Sequence, residues 1–230
     1  MKKIILYILL LSSNILFSQD GGSHLKTMAA PPKTVFFVGN SKYDKDGTNV
    51  FGRNYVPLGV QTMLNTTGGK KCGYNCYAVS GRTTSQLLTD VATRVIPYLR
   101  VGDVVVFTEA TNTIGTGGIV DTAIAQTLRV RNLVWAAGCK FVVQGATACN
   151  GNVLPGYANI TTQLQTYNQY FRNNPTAVDG FSDPGSLSQF DTDADCTNTT
   201  YYLADDQIHE TNTGYDLIIP LTYAAVLPLL

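Results

Sequence analysis

Charged residues and histidines are scarce in this chain of 230 residues. Lys and Arg together number 16, as do Asp and Glu, so charged residues make up 14% of the sequence and the formal net charge is zero. This balance gives no electrostatic basis for a nucleic-acid partner, because phosphate binding needs a basic surface. The sequence has 2 histidines and no pair of Cys-x-x-Cys motifs, so a zinc site is not expected.

Internal repeats and apolar runs long enough to cross a membrane are also missing. The apolar run near the N-terminus, residues 4–17, falls short of the roughly 20 residues that a membrane-spanning helix needs. Two lysines precede this run and a small residue, Ser18, follows it, which is typical of a cleaved secretory signal. Residues 1–18 are therefore predicted to be a signal peptide, residues 19–32 a flexible lead-in and residues 33–230 a single domain. We expect a secreted or periplasmic protein, with the signal peptide removed and without stable membrane insertion.

Five cysteines are spread along the predicted domain. In an exported chain the first expectation for them is disulfide bonds, with one thiol left over. Cys72 and Cys76 are close enough in sequence to staple a loop, and Cys149 with Cys196 is a second candidate pair. Spacing alone leaves the connectivity open.

Short apolar segments alternate with segments of helical periodicity along the domain. Strands are predicted at residues 33–38, 74–79, 104–107, 141–143 and 177–181, and helices at residues 55–64, 83–99, 119–137, 160–171 and from residue 213. The alternation predicts a three-layer α/β/α sandwich with a central, mainly parallel five-stranded sheet. Sites in such sheets lie at the carboxyl ends of the strands, so the residues found there are the candidates for function.

Three of the predicted strands are followed by residues that can take part in catalysis. Ser41 follows the first strand and has a hydroxyl, whose ordinary role at this position is to cap a turn or helix. Gly81 follows the second strand and lets a substrate approach a backbone N–H, although it could equally be a simple turn glycine. Asn112 follows the third strand and offers an amide donor, where the alternative is a loop side chain bonded to its own backbone.

Only one histidine lies within the predicted domain, because His24 falls in the lead-in. The histidine within the predicted domain is His209. It comes three positions after Asp206, so one helix-like turn can bring the Asp206 carboxylate to the His209 ring. A carboxylate there would fix the tautomer of the imidazole and stabilise its charged form. A solvated surface pair is the ordinary reading of such an Asp-x-x-His segment.

In their order and spacing, these segments resemble the sequence blocks of the SGNH hydrolases, also called the GDSL esterase/lipase family. Residues 38–41, Val-Gly-Asn-Ser, resemble the first block, Gly-Asp-Ser, and residues 78–84 resemble the second block, whose glycine contributes to the oxyanion hole. Residues 110–113, Ala-Thr-Asn-Thr, are similar to the third block, Gly-x-Asn-Asp, and residues 206–209 to the fifth, Asp-x-x-His. The resemblance extends over nearly the whole predicted domain and implies the flavodoxin-like sandwich of that family.

The resemblance implies a serine ester hydrolase that needs no metal or organic cofactor. Ser41 would attack the ester carbonyl, His209 would take its proton and later activate water, and Asp206 would orient the ring. The backbone N–H groups of Ser41 and Gly81, with the side-chain amide of Asn112, would form the oxyanion hole.

The chain departs from the family pattern at three positions near these residues. Asn40 replaces the Asp of the first block, and Asn can still form hydrogen bonds in a similar shape. Ala110 replaces a Gly and Thr113 replaces an Asp in the third block, so the loop that holds Asn112 is expected to differ. None of the three changes removes a reacting group.

We therefore expect a secreted serine esterase that hydrolyses small acyl esters, with acetyl groups on carbohydrate as the leading substrate. The substrate would be a small-molecule or polysaccharide ester, and the acyl pocket would lie in loops such as residues 44–55 and 146–157. Two alternatives from the same fold stay open: a lipase or lysophospholipase, and a non-catalytic secreted binding module. The sequence does not define the oligomeric state.

Overall fold

A parallel five-stranded sheet forms the middle layer of the domain. The computed structural model describes residues 31–43, 54–150 and 155–230, so the expected signal peptide and most of the lead-in lie outside the described residues. Residues Pro32–Leu230 form one compact unit. The strands are β1 (Thr34–Gly39), β2 (Gly73–Ala78), β3 (Val104–Thr108), β4 (Lys140–Gln144) and β5 (Gly180–Ser182). Their order across the sheet is β2-β1-β3-β4-β5.

Helices cover both faces of this sheet, which confirms the predicted three-layer sandwich. In the described residues they are α1 (Tyr55–Thr66), α2 (Thr84–Asp90), α3 (Thr111–Gly115), α4 (Val120–Ala136), α5 (Thr161–Asn173) and α6 (Asn212–Val226). Helices α1 and α6 pack together over one face, and helices α2, α4 and α5 pack over the other. We call the two apolar layers the α6-side core and the α4-side core.

The residue pattern of the strands explains why both faces are covered. In β1, Val35 and Phe37 pack into the α6-side core, and Phe36 and Val38 pack into the α4-side core, because successive side chains of a strand point to opposite faces. All five residues of the central strand β3 are buried. Such continuous apolar strands are typical of parallel sheets between two layers of helices.

Most predicted elements agree with the observed ones to within two residues, and two differ by more, each near a proline. The helix predicted over residues 83–99 is α-helical only to Asp90 and continues as a π-type turn, Val91–Val95, and a 3-10 turn, Ile96–Tyr98. Pro97 has no N–H to continue the α-helical ladder. The strand predicted at residues 177–181 is shorter, because Pro175–Ala177 forms a 3-10 turn just before it.

The expected disulfide bonds are absent, although all five cysteines lie in the described residues and are buried. Cys76 lies in β2 and Cys72 directly precedes this strand, so the four residues from Cys72 to Cys76 span roughly 13 Å. Disulfide-bonded residues have Cα atoms at most about 7 Å apart. Cys149 packs in the α4-side core and Cys196 in the α6-side core. The prediction of disulfide bonds was wrong because it was based on the predicted export of the chain, whereas the fold holds both candidate cysteine pairs apart.

In the described part of the chain, no helix has the length and apolar character that a membrane span requires.

Candidate active site

Ser41 lies at the carboxyl end of β1, beside the point where the strand order reverses between β1 and β3. Crevices at such points are the usual ligand sites of parallel sheets. The turn after β1 is held by Asn40, whose carbonyl accepts from the backbone N–H of Tyr43 at 3.0 Å and whose side-chain oxygen accepts from that of Lys42 at 3.1 Å. An amide oxygen is sufficient for this contact, so Asn40 can stand where the family pattern has Asp.

The three predicted catalytic side chains form one continuous chain of hydrogen bonds. His209 Nε2 lies 2.6 Å from Ser41 Oγ, and His209 Nδ1 lies 2.6 Å from Asp206 Oδ2. Ser41 is 7% exposed, and the side chains of His209 and Asp206 are 17% and 25% exposed. The three side chains are therefore mostly buried, but a part of each remains accessible to solvent. The structure thus brings together residues 168 positions apart in the sequence.

Asp206 is held by the backbone of its own turn. Its Oδ1 accepts from the N–H groups of Ile208 at 2.8 Å and His209 at 3.0 Å. Burial alone would raise the pKa of Asp206, but the hydrogen bonds from His209 and Ile208 and the charge of the ring outweigh burial and lower it. An ionised carboxylate only accepts hydrogen bonds, so Nδ1 of His209 carries a hydrogen. In the neutral form of the ring, Nε2 is then the acceptor for the hydrogen of the Ser41 hydroxyl.

Asn112 lies in α3, directly after β3, with both ends of its amide group occupied. Its Nδ2 donates to the carbonyl of Arg82 at 3.0 Å, and its Oδ1 accepts from the hydroxyl of Tyr157 at 2.9 Å. Burial raises the pKa of Tyr157, and the charge of Glu109 adds to the effect, so this hydroxyl keeps the hydrogen that it donates. Since an amide nitrogen has two hydrogens, the second N–H of Asn112 can serve a ligand.

Gly81 follows β2 with a φ of +75°, a conformation that side chains with a Cβ rarely adopt. A Cβ placed there would meet no atom within 4 Å, so the conformation rather than crowding accounts for glycine. The open space beside it is consistent with either reading of this residue, a turn glycine or a backbone donor that a ligand can approach.

A buried carboxyl group supports the loop in which the third sequence block departs from the family pattern. Glu109 accepts from the backbone N–H and hydroxyl of Thr113 at 2.8 and 3.0 Å, and from the N–H of Asn112 at 3.3 Å. Glu109 therefore supplies a carboxyl group where Thr113 replaces Asp. The hydroxyl of Thr113 also contacts that of Thr84, which joins α3 to the start of α2.

The burial of Glu109 favours the neutral form of its carboxyl group below about pH 8. Burial raises its pKa from 4.5 to about 8, although the hydrogen bonds from Thr113 and Asn112 and the charge of Lys42 oppose the rise. Sequence reasoning assigned no role to Glu109 or Tyr157, although Tyr157 lies in one of the loops expected to form the acyl pocket. The position of Glu109, a charged residue directly after a fully buried strand at the carboxyl edge of the sheet, was the available signal.

The loops expected to form the acyl pocket are only partly described, because residues 44–53 and 151–154 lie outside the described residues. Within the described ranges, no group of three or more His, Cys, Asp or Glu side chains could hold a metal ion.

Comparison with known proteins adds solved structures but no sequence relatives. No family model and no curated protein matches the chain. A GDSL-like lipase from Bacteroides thetaiotaomicron has a TM-score of 0.63 at 19% identity, over 86% of this chain and 89% of that chain. A variant of an acetyl-xylooligosaccharide esterase from Geobacillus has a TM-score of 0.62 at 15% identity, over 84% and 94%.

A third solved structure, a psychrotrophic esterase from Pseudoalteromonas, has a TM-score of 0.59 at 14% identity, over 84% of this chain and 96% of that chain. It is described as inhibited by monoethylphosphonate. At such low identities the three likenesses bear on the fold, and the fold implied by the sequence blocks is confirmed.

Proposed function

We propose that this chain, which has the fold of the SGNH hydrolases, is a secreted serine esterase that cleaves small acyl esters. The observation that carries the proposal is the continuous hydrogen-bond chain from Ser41 through His209 to Asp206, with both contacts at 2.6 Å. A serine hydroxyl next to a histidine that is itself oriented by a carboxylate is the arrangement required for nucleophilic acyl transfer.

In the first half of the reaction, Ser41 Oγ attacks the carbonyl carbon of the ester and its proton passes to His209 Nε2. The negative charge that develops on the carbonyl oxygen is bound by the N–H groups of Ser41 and Gly81 and by the amide of Asn112. As the tetrahedral intermediate collapses, His209 returns the proton to the leaving alcohol, and the acyl group stays on Ser41.

In the second half, His209 Nε2 takes a proton from water, and the resulting hydroxide attacks the acyl group. Collapse of this second tetrahedral intermediate releases the carboxylic acid and returns the proton to Ser41. Asp206 accepts from Nδ1 throughout and stabilises the imidazolium form, since its pKa lies below the ordinary value and it stays ionised.

For the substrate we propose acetyl esters of carbohydrate. The likeness to an acetyl-xylooligosaccharide esterase supports this choice. The sequence supports it through the predicted export and through a composition rich in Asn, Thr and Tyr rather than in charged residues. The second candidate is hydrolysis of lipid esters, and the likeness to GDSL-like lipases supports it.

Hydrolysis of p-nitrophenyl esters of increasing chain length, followed by an assay on acetylated xylo-oligosaccharides, separates these candidates. Turnover that favours acetate and is lost in Ser41→Ala supports the proposal. Serine-dependent turnover that favours long acyl chains supports the lipid candidate. No turnover above the folded Ser41→Ala variant would leave the binding module as the better interpretation of the fold.

A further inference from the structure

The two residues that directly follow the reacting residues in the sequence form a buried ion pair with each other. Lys42 follows Ser41 and Glu210 follows His209, and Lys42 Nζ is 2.5 Å from Glu210 Oε1. The side chains are 7% and 0% exposed, which is rare for charged residues unless they are paired. The hydrogen bond between Ser41 and His209 and the ion pair therefore join the same two chain segments at consecutive positions.

All three ammonium hydrogens of Lys42 have an acceptor. Besides Glu210, Lys42 Nζ donates to the carbonyl of Ile208 and to Thr147 Oγ1, both at 2.9 Å. Thr147 in turn donates its own hydroxyl hydrogen to Glu210 Oε1 at 2.5 Å. An ammonium group that donates all three hydrogens has no lone pair, so Lys42 acts in this arrangement through its hydrogen bonds and not as a base or nucleophile.

These contacts fix the chain on both sides of His209. Lys42 binds the carbonyl of Ile208, the residue before the histidine, and the carboxylate of Glu210, the residue after it. On the serine side, the next residue in the turn, Tyr43, donates to Gln144 Oε1 at 2.5 Å, so the turn is also tied to the end of β4. The positions of Ser41 and His209 are thus set by buried polar contacts of their immediate neighbours.

Stability alone does not explain such a pair. Removing two charges from water costs free energy that their mutual attraction often only balances, and apolar residues of similar volume can replace buried ion pairs without loss of stability. An ion pair is, however, directional, and here it fixes one chain segment against another. We infer that Lys42 and Glu210 are positioning residues that hold Ser41 and His209 in register for proton transfer, an inference that rests on the proposed function.

The test is the double variant Lys42→Met/Glu210→Gln, which removes both charges and keeps the approximate volumes. The variant is expected to fold, as judged by circular dichroism and cooperative thermal unfolding. Its kcat on p-nitrophenyl acetate is expected to fall by about tenfold to a hundredfold with little change in KM, because misplacement of the reacting groups slows the chemical step. The matched control is Lys140→Met/Asp179→Asn, an ion pair at the amino ends of β4 and β5, opposite the strand ends that carry the reacting residues, which should keep the wild-type kcat.

A second variant covers the case in which the double variant fails to fold. Lys42→Arg keeps the charge but replaces the ammonium group by a planar fork that cannot reach the same three acceptors. It is expected to show the same loss of kcat without a change of KM. A folded double variant, or a folded Lys42→Arg, with the kcat of the wild type would overturn the inference.

Proton NMR separates failure of this inference from failure of the proposed function. The hydrogen on His209 Nδ1, shared with Asp206, should give a downfield resonance in the wild type that weakens or shifts in the double variant. Wild-type protein without any ester turnover would overturn the proposed function. In that case an unchanged resonance in the folded variant would also overturn the positioning role, and a lost resonance would support it.

Discussion

Replacing Glu109 by Gln should change how the stability of the protein depends on pH. Burial raises the pKa of this carboxyl group from 4.5 to about 8. The folded protein therefore keeps a proton that the unfolded chain releases, so the free energy of unfolding falls as the pH rises from about 4.5 to about 8 and is then level. At about 1.4 kcal/mol per pH unit, the whole change attributable to Glu109 is about 5 kcal/mol.

Urea unfolding of the wild type and of Glu109→Gln at about pH 5 and about pH 8 measures this effect. The difference in unfolding free energy between the two proteins isolates Glu109, because the other titrating groups are common to both. That difference should shift by about 4 kcal/mol in favour of the variant over this range. Asp121→Asn, at an exposed position in the first turn of α4, is the control and should show no such shift. A difference for Glu109→Gln that does not vary with pH would refute the reasoning.

Three further substitutions test the roles assigned around Ser41, each by kcat and KM on p-nitrophenyl acetate with unfolding curves to establish that the variant is folded. Asn112→Ala should lower kcat by roughly 10²–10³-fold, because one oxyanion donor is lost, and a wild-type kcat would exclude that role. Tyr157→Phe removes the hydrogen bond to Asn112 Oδ1 and should lower kcat by less, about fivefold, in line with roughly 1 kcal/mol for one hydrogen bond. A larger loss than in Asn112→Ala would contradict this order. Asp206→Asn should lower kcat by roughly 10⁴-fold, because the ring loses the carboxylate that sets its tautomer, and a small loss would leave His209 without the proposed orienting partner.

The arrangement of the layers could be predicted from the sequence because the information is local. Residues 104–107, Val-Val-Val-Phe, are apolar at every position, and only a strand covered on both faces buries all of them. The turn from Asp206 to His209 is also local, since the two residues are only three positions apart in the sequence. Where local signals compete, as at Pro97 after α2, the extent of the element was predicted less well.

The supporting contacts of the site could not be predicted, because they join distant segments. Lys42 and Glu210 are 168 residues apart, and as single residues both would be expected at the surface. Tyr157 contacts Asn112 across 45 positions, and no pattern in the sequence pairs them. The roles of the predicted site residues stay proposals, although the structure brings Ser41 and His209 within hydrogen-bond distance.

A fluorophosphonate probe tests the proposed nucleophile most directly, because it forms a covalent bond only with a serine that a neighbouring base activates. After reaction with the folded protein, mass spectrometry of its peptides should find one adduct, on Ser41. The adduct should be absent from Ser41→Ala and from a folded His209→Ala variant. Folded wild-type protein that stays unlabelled, or that is labelled at another residue, would contradict the assignment of Ser41 as the nucleophile.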